Sequence, residues 1–283
     1  MNELIRDLLT FPFLQFAFLA ALLASLACGI VGSFVTVNRI TYMAGAIAHS
    51  VLGGMGIARY LQREQGILWM TPLVGAVLAA LAAAVVISFV REVAKEREDT
   101  VLSAVWSVGM ATGILFISMT RGYSEDLMSY LFGNILMVTP RDLILMVLLD
   151  CVLAGVTFLA YTRLVAFSFD DEFASLRGVH VPFYNLLLLC MTALTVVLLV
   201  QVVGIVMVIA LLTLPAGVAS HFTRRLSAMI LAAMIVSALC TSGGLALSYV
   251  ADTPSGATII LLTGMVYGSV LAGRGIASTV GRA

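Results

Sequence analysis

The chain has 283 residues, of which 61% are hydrophobic and only 11% are charged. Soluble domains usually carry about 25% charged residues, so this composition excludes an ordinary soluble protein and predicts an integral membrane protein. The formal net charge is zero, which gives no reason to expect nucleic acid as a partner. The apolar runs are long and continuous, which excludes barrel strands and predicts an all-α, polytopic fold.

Nine apolar segments follow one another along the chain, and each is predicted to cross the membrane as a helix. Charged or turn-forming clusters separate them, and every loop is too short for a soluble domain, so residues 1–283 are interpreted as a single transmembrane domain. Only Pro215 falls inside a segment, where it should kink or break the helix. The predicted spans are residues 13–37, 43–61, 71–90, 101–119, 141–162, 181–201, 204–221, 227–249 and 256–273.

The positive charges predict the orientation of the helices. Five of the fifteen basic residues lie on one side of the membrane: Arg6, Arg59, Arg63, Arg121 and Arg141. Ten lie on the other side: Arg39, Arg91, Lys95, Arg97, Arg163, Arg177, Arg224, Arg225, Arg274 and Arg282. By the positive-inside rule the second side is cytoplasmic, which places the N-terminus outside and the C-terminus in the cytoplasm.

Ionisable residues inside spans are costly and often functional. His49 stands among small residues in AGAIAHSVLGG, and its imidazole suits zinc, manganese, iron and other divalent ions in passage. A hydrogen bond to a backbone carbonyl of a neighbouring helix would explain it equally well. Asp150 could neutralise a passing cation, but a structural hydrogen bond is favoured. His180 and His221 fall at span ends and are interpreted as ordinary interfacial residues.

Two further patterns concern contacts. Residues 169–179, FDDEFASLRGV, predict a short amphipathic helix that ends at Gly178. It is either an ordinary solvated helix or a docking element for a cytoplasmic partner. Glycines spaced four apart suit close packing between membrane helices, and they occur at Gly109/Gly113 and Gly264/Gly268.

Five stretches, in order from about residue 30 to residue 270, carry a resemblance to a known family. They are VGSFVTVNRITYMAGAIAHSVLGG, DLMSYLFGNILMVTPRDL, FDDEFASLRGV, VVGIVMVIALLTLPAGVASHFTRR and YVADTPSGA. Together they resemble the membrane (permease) subunit of bacterial metal-ion ABC transporters of the zinc, manganese and iron uptake type. The similarity is greatest to the zinc permeases.

The resemblance implies a division of labour between chains. Two permease copies would pair in the bacterial inner membrane, cytoplasmic ATPase subunits would hydrolyse ATP, and an extracytoplasmic metal-binding protein would deliver the ion. The permease itself would not be an enzyme and would bind no cofactor; it would carry a divalent metal ion, with zinc favoured over manganese and iron. Residues 163–180 would form a cytoplasmic coupling segment. The implied roles are ATPase coupling for Asp170, Glu172 and Gly178, a helix break at Pro215, and an external turn at Asp252 and Pro254.

The chain departs from this family at one position of interest. The family usually has an acid four residues before the motif histidine, but here that position is Gly45. An acid and a histidine at this spacing share one helix face. Three interpretations are open: the acid comes from elsewhere, with Asp150 as the candidate; the site is more neutral and prefers zinc; or the substrate lies outside the usual metals.

Two other functions compete with the metal importer. One is a stand-alone secondary carrier that uses His49 and Asp150 as an ion relay, and the coupling segment argues against it. The other is the permease of a chelated-iron or cobalamin importer, which usually has a longer chain.

Overall fold

The computed structural model describes residues 6–7, 10–91, 97–120, 133 and 135–280, with the side chains of 275–280 excepted. Over these residues the chain forms ten α-helices, one short 3-10 turn at Ile135–Met137, and no strand. The middle family motif begins at residue 126, and its positions 126–132 and 134 lie outside the described residues. The helices are α1 Pro12–Val37, α2 Thr41–Glu64, α3 Pro72–Phe89, α4 Glu98–Met119, α5 Pro140–Phe169, α6 Asp171–Leu176, α7 Val181–Val203, α8 Ile205–Phe222, α9 Leu226–Ala251 and α10 Ser255–Val280.

The predicted all-α membrane fold is confirmed. Nine long helices in the described part of the chain lie at the nine predicted spans, and eight of them are long and apolar enough to cross a membrane. The exception is α2, whose glycines, hydroxyls and histidine lower its hydropathy. Its sides are covered by other helices, so it needs less apolar surface than a helix that faces lipid. One helix is longer than its predicted span: α5 continues beyond residue 162 to Phe169.

Threonine–proline pairs fix where two helices begin. The Thr71 hydroxyl accepts a hydrogen bond from the Val74 N–H, and Pro72 occupies the first helical position of α3. At the start of α5, the Thr139 hydroxyl and the Asp142 carboxylate each accept a hydrogen bond from the other residue's backbone N–H. Proline suits this position because its missing N–H would have no helical partner, and the hydroxyl satisfies another free N–H.

The centre of the bundle is formed by α1 and α7. Helix α1 packs against α5, α7, α8 and α9, mostly through alanines such as Ala17, Ala20 and Ala24, which are fully buried. Small side chains let helix backbones approach closely in a membrane. A hydrogen bond between the hydroxyls of Ser25 and Thr241, 3.1 Å apart, joins α1 to α9.

Helix α2 is held between α3 and α4 by glycine contacts. A Cβ added at Gly54 would lie 2.1 Å from the Gly75 carbonyl oxygen of α3, and one added at Gly53 would lie 2.7 Å from that of Gly109 in α4. The contact predicted for Gly109/Gly113 is therefore confirmed. Gly264 and Gly268 make no such contact within the described chain, because no atom lies within 4 Å of an added Cβ at either position.

At Pro215 the sequence predicts a kink or a break of the helix, and the structure shows no break. Helix α8 runs from Ile205 to Phe222 and includes Pro215. The chain breaks instead at Gly204, which separates α7 from α8 with a φ of 82° and a ψ of 159°. Proline removes only one N–H from the ladder of a helix, whereas a residue in this backbone region, which glycine alone adopts readily, interrupts it.

Candidate functional site

The three histidines have different environments. The His180 ring accepts a hydrogen bond at Nδ1 from the Phe183 N–H and so caps α7. The ring of His221 lies at the exposed end of α8, with its Nδ1 2.6 Å from the Arg274 guanidinium. His49 is only 9% exposed, and its Nδ1 has no hydrogen-bond partner among the described residues. The ligand candidate is thus the histidine that no structural role accounts for.

His49 is flanked by aromatic rings. The Trp106 indole of α4 stacks on its imidazole, with ring centroids 4.2 Å apart and ring planes inclined by 7°. The Tyr42 ring lies 6.3 Å from the indole. Because Nδ1 makes no hydrogen bond within the described chain, the alternative of a structural bond from this nitrogen to a neighbouring carbonyl is not what the structure shows.

Space is open beside the histidine at Gly45. This residue is buried, yet no atom of the described chain lies within 4 Å of a Cβ placed there. Gly45 precedes His49 by about one helical turn, so the two share a face of α2. The acid that the family resemblance leads one to expect would therefore fit here without displacing backbone.

Asp150 does not complete this site. It is 9% exposed, and its Oδ2 has no hydrogen-bond partner among the described residues. Asp150 lies on α5, which packs on α1 and α7, whereas α2 packs chiefly on α3, α4, α7 and α8. In the described part of the chain, no three His, Cys, Asp or Glu residues are grouped so that they could hold a metal ion. The helices that carry Asp150 and His49 are therefore not among each other's main packing partners.

The predicted amphipathic helix is present as α6. The Asp170 carboxylate accepts a hydrogen bond from the Phe173 N–H at 2.8 Å and caps the helix, while Glu172 lies exposed in its first turn. Gly178 has a φ of 78°, the left-handed conformation in which glycine often follows a helix end. Asp170 and Gly178 therefore shape the two ends of the helix, and Glu172 lies exposed between them.

Helix α6 presents apolar side chains to the outside of the chain. Leu176 is 87% exposed and Phe173 49%. Behind α6, the side chains of Arg91 and Asp171 line one groove. Arg91 also donates from Nη1 to the Asn185 amide oxygen of α7 at 3.3 Å, and its Nε lies 3.5 Å from the Glu98 carboxylate of α4. This end of the bundle joins α6 to the helix that carries Trp106.

The turn predicted at Asp252 and Pro254 lies between α9 and α10. Asp252 follows the end of α9 with a φ of 50°, which aspartate tolerates better than most residues. The Ser248 hydroxyl donates to the Thr253 carbonyl, and the Thr258 hydroxyl donates to that of Pro254. All five residues therefore contribute to the geometry of this turn.

Sequence reasoning missed Trp106. A tryptophan in an apolar helix is ordinary, and nothing in its local sequence indicates which residue of another helix it meets. Gly109 gave a weak indication, because a glycine of this kind marks the face of α4 that approaches another backbone. Trp106 precedes Gly109 by about one turn and so lies on the same face.

Comparison with known proteins gives a consistent result. The model of the ABC 3 transport family matches residues 10–273. The uncharacterized membrane protein slr2045 of Synechocystis sp. is 40% identical over 267 residues, which is 94% of this chain and 92% of that protein. The probable metal transport system membrane protein of Chlamydia muridarum is 41% identical over 91% of this chain and 88% of its own length. The manganese transport system membrane protein MntC of Listeria monocytogenes is 31% identical, over 93% and 91%.

Solved structures agree on the fold. The structure of PsaBC from Streptococcus pneumoniae in complex with Fab matches with a TM-score of 0.84 and 29% identity, over 95% of this chain and 94% of that one. An inward-facing putative metal-chelate type ABC transporter matches with a TM-score of 0.71 at 16% identity, over 94% and 88%. The second likeness shows the fold alone.

Proposed function

The chain belongs to the ABC 3 transport family, and from this premise we propose that it is the permease subunit of an ATP-driven importer of a divalent metal ion. Two relatives that cover most of the chain are named for metal transport and for manganese transport. The observation that carries the proposal is His49, a buried imidazole whose Nδ1 has no partner in the described chain. An imidazole held this way is available to a cation in passage.

The metal-donor atoms of the site and the names of the relatives favour different metals. Imidazole without a nearby carboxylate suits zinc and iron better than manganese, which prefers carboxylate, carbonyl and water oxygens. Because residue 45 is a glycine, the carboxylate oxygen donor that the family resemblance leads one to expect is missing from this position. The name of MntC supports manganese. Because the site offers an imidazole and no carboxylate, we propose zinc as the preferred ion, with manganese and iron as the alternatives.

We assign ATP hydrolysis to a separate cytoplasmic subunit that docks on α6. The exposed Leu176 and Phe173 side chains supply apolar contact area, and Asp170 and Gly178 fix the shape of the helix. A movement of α6 would be transmitted to α4 by way of Arg91. The Arg91 side chain lines the same groove as Asp171 of α6 and forms an ion pair with Glu98 of α4. Helix α4 in turn carries the indole that contacts His49.

A second permease copy is proposed to cover α4. Within one chain only Leu102 and Gly113 of this helix are buried. Its exposed face includes Ser103, Ser107 and Ser118, which are poor residues for contact with lipid and good ones for close helix contact. Pairing through this face would bury α4 between the two bundles, and an extracytoplasmic binding protein would deliver the ion to the paired permeases.

The test is the metal content of cells. A bacterial strain that lacks its own zinc and manganese importers would express the permease with its ATPase and binding protein. We expect one metal to accumulate with the wild-type chain and to fall to background with His49→Ala. The matched control is His221→Ala, which removes a half-buried histidine at the end of α8 and should leave accumulation unchanged.

The same experiment separates the competing functions. Accumulation that persists without the ATPase would support a stand-alone carrier. If the complex assembles and hydrolyses ATP but no metal accumulates, the proposed cargo is wrong and a chelate becomes the substrate to test.

A further inference from the structure

The contact between His49 and Trp106 leaves the metal-binding atoms of the imidazole free. The rings are nearly parallel, with an angle of 7° and a centroid separation of 4.2 Å. A metal ion binds the lone pair of a ring nitrogen, which lies in the plane of the ring. The indole covers a face of the imidazole and so restricts its rotation without occupying the edge where a cation would bind.

Trp106 is itself held in place. Its Nε1–H donates to the Met110 sulfur of the next turn at 3.3 Å. The backbone of α4 cannot withdraw independently, because Gly109 approaches α2 so closely that an added Cβ would lie 2.7 Å from Ser50 Cα. Ser50 is the residue after His49, so the fixed contact between the two backbones lies next to the stacked rings.

A histidine that binds metal usually has a second interaction to orient it, typically its other N–H donating to a carboxylate or a carbonyl. The His49 Nδ1 has none within the described chain, and Gly45 cannot supply one. We propose that Trp106 is the positioning residue for His49, and that its indole face orients the imidazole for a divalent cation. This inference rests on the proposed function and deepens it.

The indole also favours the loaded state. The faces of aromatic rings attract positive charge, and tryptophan is the most effective of them. An imidazole that has bound a divalent cation carries part of its charge. The stacking should therefore strengthen when the ion arrives, and Trp106 should contribute to affinity although it donates no electron pair to the metal.

Transport kinetics test the proposal. Initial uptake of Zn²⁺ and of Mn²⁺ would be measured over a range of concentrations with the full complex. Trp106→Leu keeps an apolar side chain but removes the aromatic face, and we expect the apparent KM to rise about tenfold, the lower end of what losing an orienting partner costs. Trp106→Phe retains an aromatic face and should stay within about twofold. Trp69→Leu, at the exposed turn after α2, is the matched control and should leave KM unchanged.

A spectroscopic readout tests the contact itself. The difference in fluorescence between the complex with Trp106 and the complex with Trp106→Phe reports this indole alone, because Trp69 and the tryptophans of the ATPase cancel. Co²⁺ quenches nearby indoles. We expect Co²⁺ to quench this difference emission in the wild-type chain and not when His49→Ala is added to both complexes.

The outcomes are distinguishable. A wild-type KM in Trp106→Leu overturns the positioning role. If that variant fails to assemble, the fluorescence decides, and unchanged difference emission with Co²⁺ overturns the role. A wild-type complex that imports no metal overturns the proposed function instead.

Discussion

Glycine at position 45 is a costly choice for the interior of a helix. It destabilises a helix by roughly 0.5–1 kcal/mol relative to alanine because the unfolded backbone is more flexible. No close contact requires it, since no atom of the described chain lies within 4 Å of an added Cβ. Elsewhere in α2, Gly53 and Gly54 are explained by backbones that approach them. Packing among the described residues therefore does not explain why position 45 is a glycine.

Restoring an acid at this position should change the metal preference. Gly45→Asp places a carboxylate about one turn before His49, and carboxylates suit manganese better than imidazole alone does. We expect the ratio of manganese to zinc uptake to rise several-fold, measured by competition between the two metals. Gly45→Asn has nearly the same shape without the charge and is the control; an equal rise with asparagine would contradict this explanation.

Polar atoms without partners set two residues apart at this scale. The His49 Nδ1 and the Asp150 Oδ2 are buried without a partner among the described residues, as are the hydroxyls of Thr36, Thr157 and Ser237, but only His49 and Asp150 of these can ionise. Leaving such an atom unsatisfied costs about 1–3 kcal/mol. Sequence reasoning could find both, because an ionisable residue in an apolar run is visible directly. Trp106 was not predictable, since which side chains meet across two helices depends on their rotation about their axes.

Among the elements, α4 depends chiefly on a single neighbour, helix α2. It is mostly exposed within one chain, and its attachment to α2 runs through Gly53, Gly56, Gly109 and Gly113. Membrane helices associate through close packing rather than through a hydrophobic driving force. The two helices that form the candidate site are thus joined along a narrow strip of glycines.

A methyl group on this strip should separate the helices. Gly109→Ala would place its Cβ 2.7 Å from Ser50 Cα, which is backbone and cannot rotate away. We expect a loss of about 1–3 kcal/mol of stability, as for other overpacked sites, visible as a lower melting temperature of the purified complex. Gly264→Ala, at an open position of α10, should cause no such loss; equal effects would show that the glycine strip is not what holds α4.

The exposed side of helix α6 can also be tested by substitution. Leu176 is 87% exposed, so Leu176→Asp should leave the fold of the permease intact. If α6 docks the ATPase, a buried carboxylate at that interface should weaken association by tenfold or more, since burying an unpaired charge costs several kcal/mol. Copurification of the ATPase measures this, with Leu176→Met as the control. Full retention of the ATPase by the aspartate variant would argue against docking at α6.

Over the whole molecule, hydropathy predicted the number of long helices and most of their ends, because apolar length is the main requirement for crossing a bilayer. Hydropathy was a less reliable guide for helices that are covered by other helices and not by lipid. Helix α2 has a mixed composition because other helices cover it, and α5 extends beyond its apolar part to Phe169. The continuity of α8 through Pro215 depends on neighbouring turns that a single proline cannot reveal.

The orientation of the molecule is a prediction from charge that can be tested directly. Single cysteines would replace Leu68, between α2 and α3, and Ser175 of α6 in a chain without its four native cysteines. Both positions are exposed. By the positive-inside rule, a thiol reagent that cannot cross membranes should label position 68 and not position 175 in cells with a permeable outer envelope. The opposite pattern would invert the predicted topology.

The packing order of the helices also bears on how the chain is synthesised. Helix α2 makes most of its contacts with α3 and α4, its immediate successors, whereas α1 packs on α5, α7, α8 and α9. Chains emerge from the ribosome N-terminus first, and contacts close in sequence form fastest. The pair that brings His49 and Trp106 together can therefore form while the C-terminal half is still being translated, and α1 must wait in the membrane until its partners arrive.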